Sequence, residues 1–505
     1  MSLEFGDDFG QKVDLCVRIR EILRNYPLGT SVFKELLQNA DDAGASEVKI
    51  CLDGRTHPST HLHGPMSEFQ GPSLLVYNNA VFTSRDFSSI QRIGDSLKRE
   101  ESKGTKTGRF GIGFNSVFHL TDLPSFVSGD SVVFLDPSAS HLPGVNPGDP
   151  GKRVQWNGAH APLCAAYPDQ FSPFKVWGCD PLGGVGAPSF PATLFRLPLR
   201  SAESASTGRL SQAHHSPSDI RSLLRRLCSE AHESLLFLKH VEKLSVWEWL
   251  PGASNGPTPM AAITMKNLSP IIRSLRGSVM CLAAGSEQAS NGSIGGISGS
   301  SKAAVSGDSS SPSVAGFVRD FPLHMETRVA SGKGGGKEGV YIDALGGALA
   351  EMVEAESAVL SSWFDDFEDG EGDFRGRGIS ARDTLWYICN QYGVPTTSIT
   401  TTSSKESGEQ QRISASVALA ARPDLLHLRL VPWGGVAACL RDSRSSCGGY
   451  SALLPPLTTP TAYCFLPLPI HTHLPLHVNG YFDLSSNSFV LCVCVCVLES
   501  LFTQE

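Results

Sequence analysis

No stretch of this chain is apolar for long enough to cross a membrane as a helix. The longest run, Phe489 to Leu498, falls far short of the roughly 20 residues required. A secretory leader is not visible either: Met1 to Asp8 carries no basic patch and no apolar stretch. There is no positive excess, since 42 Lys and Arg stand against 50 Asp and Glu for a net charge of −8. That balance argues against a chain-wide nucleic-acid surface. Charged residues make up only 18% of the chain beside abundant Gly and Pro, which argues against a wholly disordered chain, a coiled coil and a collagen-like fibre, and no internal repeat is found. Cysteine pairing is also missing. The 13 cysteines are scattered singly through the body, as in a reducing compartment, so the cytoplasm is the expected location.

What is present is a 505-residue chain that is 41% hydrophobic, enough for a sizeable core. Glycine (50) and proline (32) are abundant, so folded blocks separated by small-residue loops are expected. The first block spans residues 1–250 and reads as α/β. Leu15 to Leu23 is amphipathic, and a second helix runs from an N-cap at Thr30 or Ser31 to a stop at Gly44. Strands are expected at Val48–Leu52 and Leu74–Tyr77. A hairpin is expected around Ser128-Gly129-Asp130, a half-buried strand at Thr193–Leu197, and a closing strand at Leu244–Trp249. Between the last two, Asp219 to Glu233 has helical spacing with Ser218 or Asp219 as cap.

Residues 251–487 form a second region swollen by low-complexity insertions at 285–313, 331–339, 365–378 and 396–408. Within it, Tyr341 to Leu360 reads as a helix, and Ser414 to Leu440 as a packed segment.

Two clusters carry chemistry. Glu35, Asn39 and Asp42 are spaced i, i+4, i+7 and so share one face of the second helix, opposite Val32, Phe33, Leu36, Leu37 and Ala40. An amide oxygen can coordinate a hard cation while a neighbouring carboxylate orients or deprotonates water. By itself this pattern reads as a solvated helix face. The second cluster is Gly108-Arg109-Phe110-Gly111-Ile112-Gly113, spaced G-x-x-G-x-G and unlike the dinucleotide fingerprint. Glycines opening a helix let backbone N–H groups approach phosphate, or simply make a tight turn. The preceding Asp95 to Thr107 is polar with four basic residues, suiting a lid over an anion or a solvated loop.

Taken in order, these segments resemble the GHKL ATPase superfamily and, more closely, the sacsin-type repeat module. The likeness runs through Glu35 to Ala43, Tyr77 to Phe82, Gly108 to Phe118, Leu120 to Pro124, Thr193 to Arg200 and Val431 to Ala438, and ends at Leu484 to Asn487. It implies an α+β sandwich, helices over a mixed sheet, that binds ATP with Mg²⁺. By that analogy Glu35 activates water, Asn39 ligates Mg²⁺ and Asp42 lies on the same nucleotide-facing side. Gly108, Gly111 and Gly113 admit the phosphates, and Thr193 closes the adenine pocket. The resemblance also implies chaperone work in protein folding, with other chaperones and misfolded clients as partners, and neither nucleic acid nor membrane. One departure stands out: where the superfamily reads adenine with an Asp in D-x-G-x-G, this chain has Asn78-Asn79-Ala80. Either asparagine could accept from the exocyclic amine through its carbonyl, though more weakly than a carboxylate. A non-catalytic scaffold that binds nucleotide weakly or not at all is the alternative.

Three other features read as bland. Gly332 to Glu338 lacks the Ser or Thr of a phosphate loop and is an insertion loop. His471, His473 and His477 have no Cys pair to complete a metal site. Cys492-Val493-Cys494-Val495-Cys496-Val497 is what alternating TG in DNA encodes, directly after the likeness stops. Residues 488–505 are therefore expected to be read-through of a repeat-bearing intron or a mis-joined exon, and the chain a fragment of something longer. Transcript sequencing that shows uninterrupted coding across this junction contradicts that expectation.

Overall fold

The computed structural model describes residues 14–25, 28–92, 113–231 and 233–266. Beyond these it describes 358–365, 379–392, 433–442, 460–464, 466–471, 476–480, 483–484 and 491–492. Gly108, Gly111, the 95–107 loop and the insertions at 285–313, 331–339 and 396–408 lie outside the described residues.

Residues 47–266 build a mixed sheet of eight strands in the order β8-β7-β1-β2-β6-β3-β4-β5. Its strands are β1 (Glu47–Asp53), β2 (Ser73–Asn78), β3 (Ser125–Gly129), β4 (Ser131–Leu135), β5 (Gly151–Gln155), β6 (Phe190–Pro198), β7 (Lys243–Trp249) and β8 (Thr258–Lys266). Among these eight strands only β1 and β7 pair in parallel, and the other neighbours are antiparallel. The helices are α1 (Leu15–Asn25), α2 (Ser31–Asp42), α3 (Ser84–Ile90), three short ones, α4 (Ala161–Ala166), α5 (Pro168–Phe171) and α6 (Ala202–Thr207), and α7 (Pro217–Ala231). On the β8 side the sheet continues through β9 (Ala358–Asp365), β10 (Ile379–Tyr392) and β11 (Trp433–Asp442) to β14 (His477–Gly480). Outermost lie β12 (Thr461–Cys464) and β13 (Leu466–His471). Strand β9 takes in Leu360, the expected C-terminal end of a helix, because Val359 to Phe364 pairs with both β8 and β10. A further pair joins β15 (Asp483–Leu484) to β16 (Leu491–Cys492).

Apolar side chains pack on both faces of the sheet. One face joins Ile50, Leu74, Val76, Phe126, Phe195 and Val246 to Phe33, Leu36 and Leu37 of α2 and to Ile220, Leu224 and Leu227 of α7. The other joins Cys51, Leu75, Val127 and Leu194 to Trp156, Phe171, Phe174 and Val176, which the chain between β4 and β6 supplies. This second cover corrects the half-buried strand expected at Thr193–Leu197. In β6 every residue from Ala192 to Pro198 is buried, because the outward positions of a simple two-layer sandwich have their own lid.

Helix α2 begins and ends where its residue types dictate, with one twist at each end. Gly44 sits at φ 81° and, with Ala45, donates backbone N–H bonds to Asp41 (3.0 Å) and Ala40 (3.0 Å), closing the last turn. Thr30 occupies the N-cap without capping: its hydroxyl donates to Glu230 of α7 at 2.9 Å. Glu230 also takes Lys34 (3.2 Å) and Arg226 (2.8 Å), so the two helices are tied at this end. The cap of α7 is Ser216, two residues before Ser218 and three before Asp219, the two expected caps. Ser216 and Asp219 exchange bonds in a capping box, with Pro217 at the first helical position.

Candidate functional site

Glu35 and Asn39 lie on one half-buried face of α2, as a 3.6-residue period requires, while Leu36, Leu37 and Ala40 enter the core. Against that face packs the tight helical segment Gly113–His119, which also touches α1. Contact with Glu35 is made at Gly113. A Cβ built there would overlap the Glu35 carboxylate and come within 2.7 Å of its Cδ, so only glycine lets the backbone approach this closely. Two residues far apart in sequence, both expected at the site, are thus brought together. The Asn39 side chain makes no hydrogen bond to any described residue. A half-buried amide beside a carboxylate, with its oxygen unspent, fits a hard cation.

Asp42 does not share that freedom. Its side chain is 2% exposed and pairs with Lys239, itself 6% exposed, at 2.7 Å. Its neighbour Asp41 is more deeply committed. One carboxylate accepts the backbone N–H groups of Lys239 (3.0 Å), His240 (2.7 Å) and Val241 (3.0 Å). These two acids moor the C-terminal end of α2 to the segment between α7 and β7. Asp41 was not expected to matter, yet a signal was present. It follows Leu37 by one turn on the apolar face, where a carboxylate requires donors.

The segment Gly113–His119 is held from its other end by Arg200. That guanidinium is bidentate to Asp122 (2.7 and 2.8 Å). It also donates to the carbonyls of Phe118 (2.7 Å), His119 (2.9 Å) and Ala213 (3.1 Å). All five N–H donors of a fully buried arginine are thereby used. Nothing in the spacing of Asp122 and Arg200 announces this pair, because β3 to β6 intervene.

At the end of β2, Asn78 is 7% exposed and lies opposite Thr193 of β6 in the strand register. The Asn78 carbonyl accepts the N–H of Ala80 at 3.1 Å. Thr193 donates to the Ala80 carbonyl at 2.8 Å and accepts from Ser128, whose oxygen in turn accepts the Phe82 N–H at 2.9 Å. Asn79 turns to β1: its carbonyl takes the N–H groups of Ser46 (2.8 Å) and Glu47 (3.0 Å), and its amine donates to Ser46 Oγ (2.8 Å). So Asn78 and Thr193 meet, while Asn79 serves the strand start. This loop adjoins the glycine turn through Phe195, whose ring lies 6.2 Å from Phe82 and 5.8 Å from Phe114.

A second charged group lies at the opposite strand ends. Asp53 pairs with Arg55 (2.8 Å) and His57 (3.2 Å), and Arg55 stacks on Trp249. Burial works against ionising Asp53, but the bonds from Arg55 and His57 prevail and hold its carboxyl at about 2. Burial lowers the nearby Arg196 to about 10.

A family model described as the Sacsin domain matches residues 12–260. Human Sacsin is 31% identical over 494 residues, covering 95% of this chain. Residues 12–260 belong to the sacsin domain family. The chain spans 8% of the length of that human relative. A solved N-terminal domain of a DNA repair protein aligns with 52% of this chain and 59% of its own at 14% identity. Its TM-score of 0.26 is too low to carry an argument. The sacsin domain thus contains α2, the glycine turn, the Asn78 loop and Arg200 in one matched stretch. Strand β8, which pairs with β7, runs six residues past the end of that match. Among the described residues no helix is long and apolar enough to cross a membrane, and no group of three or more His, Cys, Asp or Glu could hold a metal.

Proposed function

We propose that this sacsin domain binds a nucleoside triphosphate with Mg²⁺, ATP by the GHKL resemblance, and hydrolyses it slowly as part of a chaperone-type module in protein folding. The observation that carries the reading is the contact between Gly113 and the Glu35 carboxylate. It sets a glycine backbone, able to approach phosphate, directly beside a group able to orient water. Asn39 Oδ1, one turn along the same face, would hold Mg²⁺. When bound, that ion supplies charge stabilisation for phosphoryl transfer. Glu35 orients the attacking water and holds its proton. Thr193, Ser128 and Asn78 fix the loop that borders the base. The compartment this reading assigns is the cytoplasm, and its partners are other chaperones and misfolded clients.

One observation favours the scaffold reading instead: the carbonyls of Asn78 and Asn79 already accept backbone N–H groups, which weakens any grip on adenine. Phosphate release by the full chain decides between the two, measured beside Glu35→Ala and Asn39→Ala. The enzyme reading expects both variants to lose at least tenfold, with Glu35→Ala still binding nucleotide. Equal background rates in all three proteins end it.

A further inference from the structure

The hydrogen bonds of the Asn78 loop leave one side-chain donor unused, the Asn78 amine. Thr193 spends its proton on the Ala80 carbonyl, so Ser128 must donate to Thr193 while accepting from Phe82. Neither hydroxyl has a proton left to give. The orientation of the Asn78 amide is fixed by the Ala80 N–H, since a flipped amide would set donor against donor. Its Nδ2 therefore points away from Ala80. That amine hydrogen-bonds to no described residue, although the residue is more than nine-tenths buried, and it is not sealed from solvent. Asn79 has nothing to add, because both ends of its amide are engaged with Ser46 and Glu47.

We infer that Asn78 is a specificity-determining residue that offers an N–H donor to the 6-position of the base. The site then takes 6-oxopurine nucleotides at least as readily as ATP. The inference rests on the nucleotide reading above. A carboxylate at this position would accept from Ala80 and from a 6-amino group at once. The amide accepts from Ala80 and has a donor left for a neighbouring group. A 6-oxo group accepts that hydrogen, whereas a 6-amino group sets a second donor against it. A site whose buried polar group is left unmatched discriminates against that ligand.

The test is competitive binding of inosine, adenosine and purine-riboside triphosphates to the full chain with Mg²⁺, for the wild type and for Asn78→Asp. Inosine triphosphate differs from ATP at the base edge without adding the 2-amino group of guanine. The expected result is wild-type affinity for inosine triphosphate equal to or above that for ATP. In Asn78→Asp the ratio should move toward ATP by about tenfold or more. A wild-type preference for ATP of tenfold or more, or a ratio that Asn78→Asp leaves unchanged, overturns the inference alone. Absence of binding by any triphosphate to folded wild type overturns it together with the nucleotide reading. Should Asn78→Asp not fold, the purine-riboside ligand decides. Weaker binding than inosine triphosphate supports a contact at the 6-oxygen, and equal binding excludes it.

Discussion

The two ends of the candidate site use their polar groups in opposite ways. At the glycine turn, Asn39 makes no hydrogen bond to a described residue, and the Glu35 carboxylate lies against a backbone that has made room for it. At the Asn78 loop almost every polar atom is spent on the loop itself: Asn79 on β1, Thr193 and Ser128 on the carbonyl of Ala80 and the N–H of Phe82. Even along α2 the contrast holds, because Asp41 and Asp42 are committed to residues 239–241 one turn from Asn39. A residue type at a matching position therefore says little about whether its side chain is available. That is decided by which donors and acceptors the fold has already claimed.

This contrast can be broken at several points. The largest effect is expected from Arg200→Ala, which strips five bonds and leaves Asp122 buried and uncompensated. A loss of about 3–5 kcal/mol in denaturant unfolding is expected. The glycine-turn end should lose ligand first, since Arg200 holds the segment that begins at Gly113. Acid comes next. Asp53 titrates at about 2 in the fold, below its unfolded value, so its contribution is present above pH 4 and is lost as pH falls toward 2. That loss is on the order of 2 kcal/mol. Burial also keeps His57 below the usual imidazole range, so charging it costs stability too and the decline sets in above the carboxylate range. Both groups lie at the far strand ends. Nucleotide affinity should therefore hold through the early part of this decline in a fluorescence titration.

Smaller effects sharpen the base end. Thr193→Val removes the hydroxyl between Ser128 and Ala80 and leaves the half-buried Ala80 carbonyl short of a donor. About 1–2 kcal/mol is expected, with hydrogen exchange at Phe82 rising. Asn79→Ala should cost about 1 kcal/mol in thermal unfolding and leave nucleotide affinity unchanged, because that amide serves β1. A large loss of affinity in Asn79→Ala would erase the division of labour between the two asparagines.

Much of the fold was legible where local chemistry decides it. Gly44 ends α2, Gly129 at φ 60° turns the β3–β4 hairpin, and the strand positions of β1, β2 and β7 follow from their apolar runs. The spacing of Glu35 and Asn39 on one face held because helical period fixes it. What was not legible depends on partners distant in sequence. The cover over the second face of β6 comes from Trp156, Phe171 and Phe174, so a period-two pattern misjudged its burial. The cap of α7 fell to Ser216 because Pro217 suits the first helical turn better than Ser218 or Asp219 can cap it. Arg200, just past β6, is paired with Asp122, just before the neighbouring strand β3, and no spacing rule reaches that far along the sequence.

The central claim is that the turn at Gly113 and the face of α2 form one phosphate site. The most direct test is equilibrium binding of a Mg²⁺–nucleoside triphosphate to the full chain and to Gly113→Ala, with thermal unfolding of both proteins recorded. A Cβ at Gly113 would collide with the Glu35 carboxylate and push the turn from α2. Wild-type binding that weakens at least tenfold in a folded Gly113→Ala protein is the result this account predicts. Equal binding by the two folded proteins would contradict it.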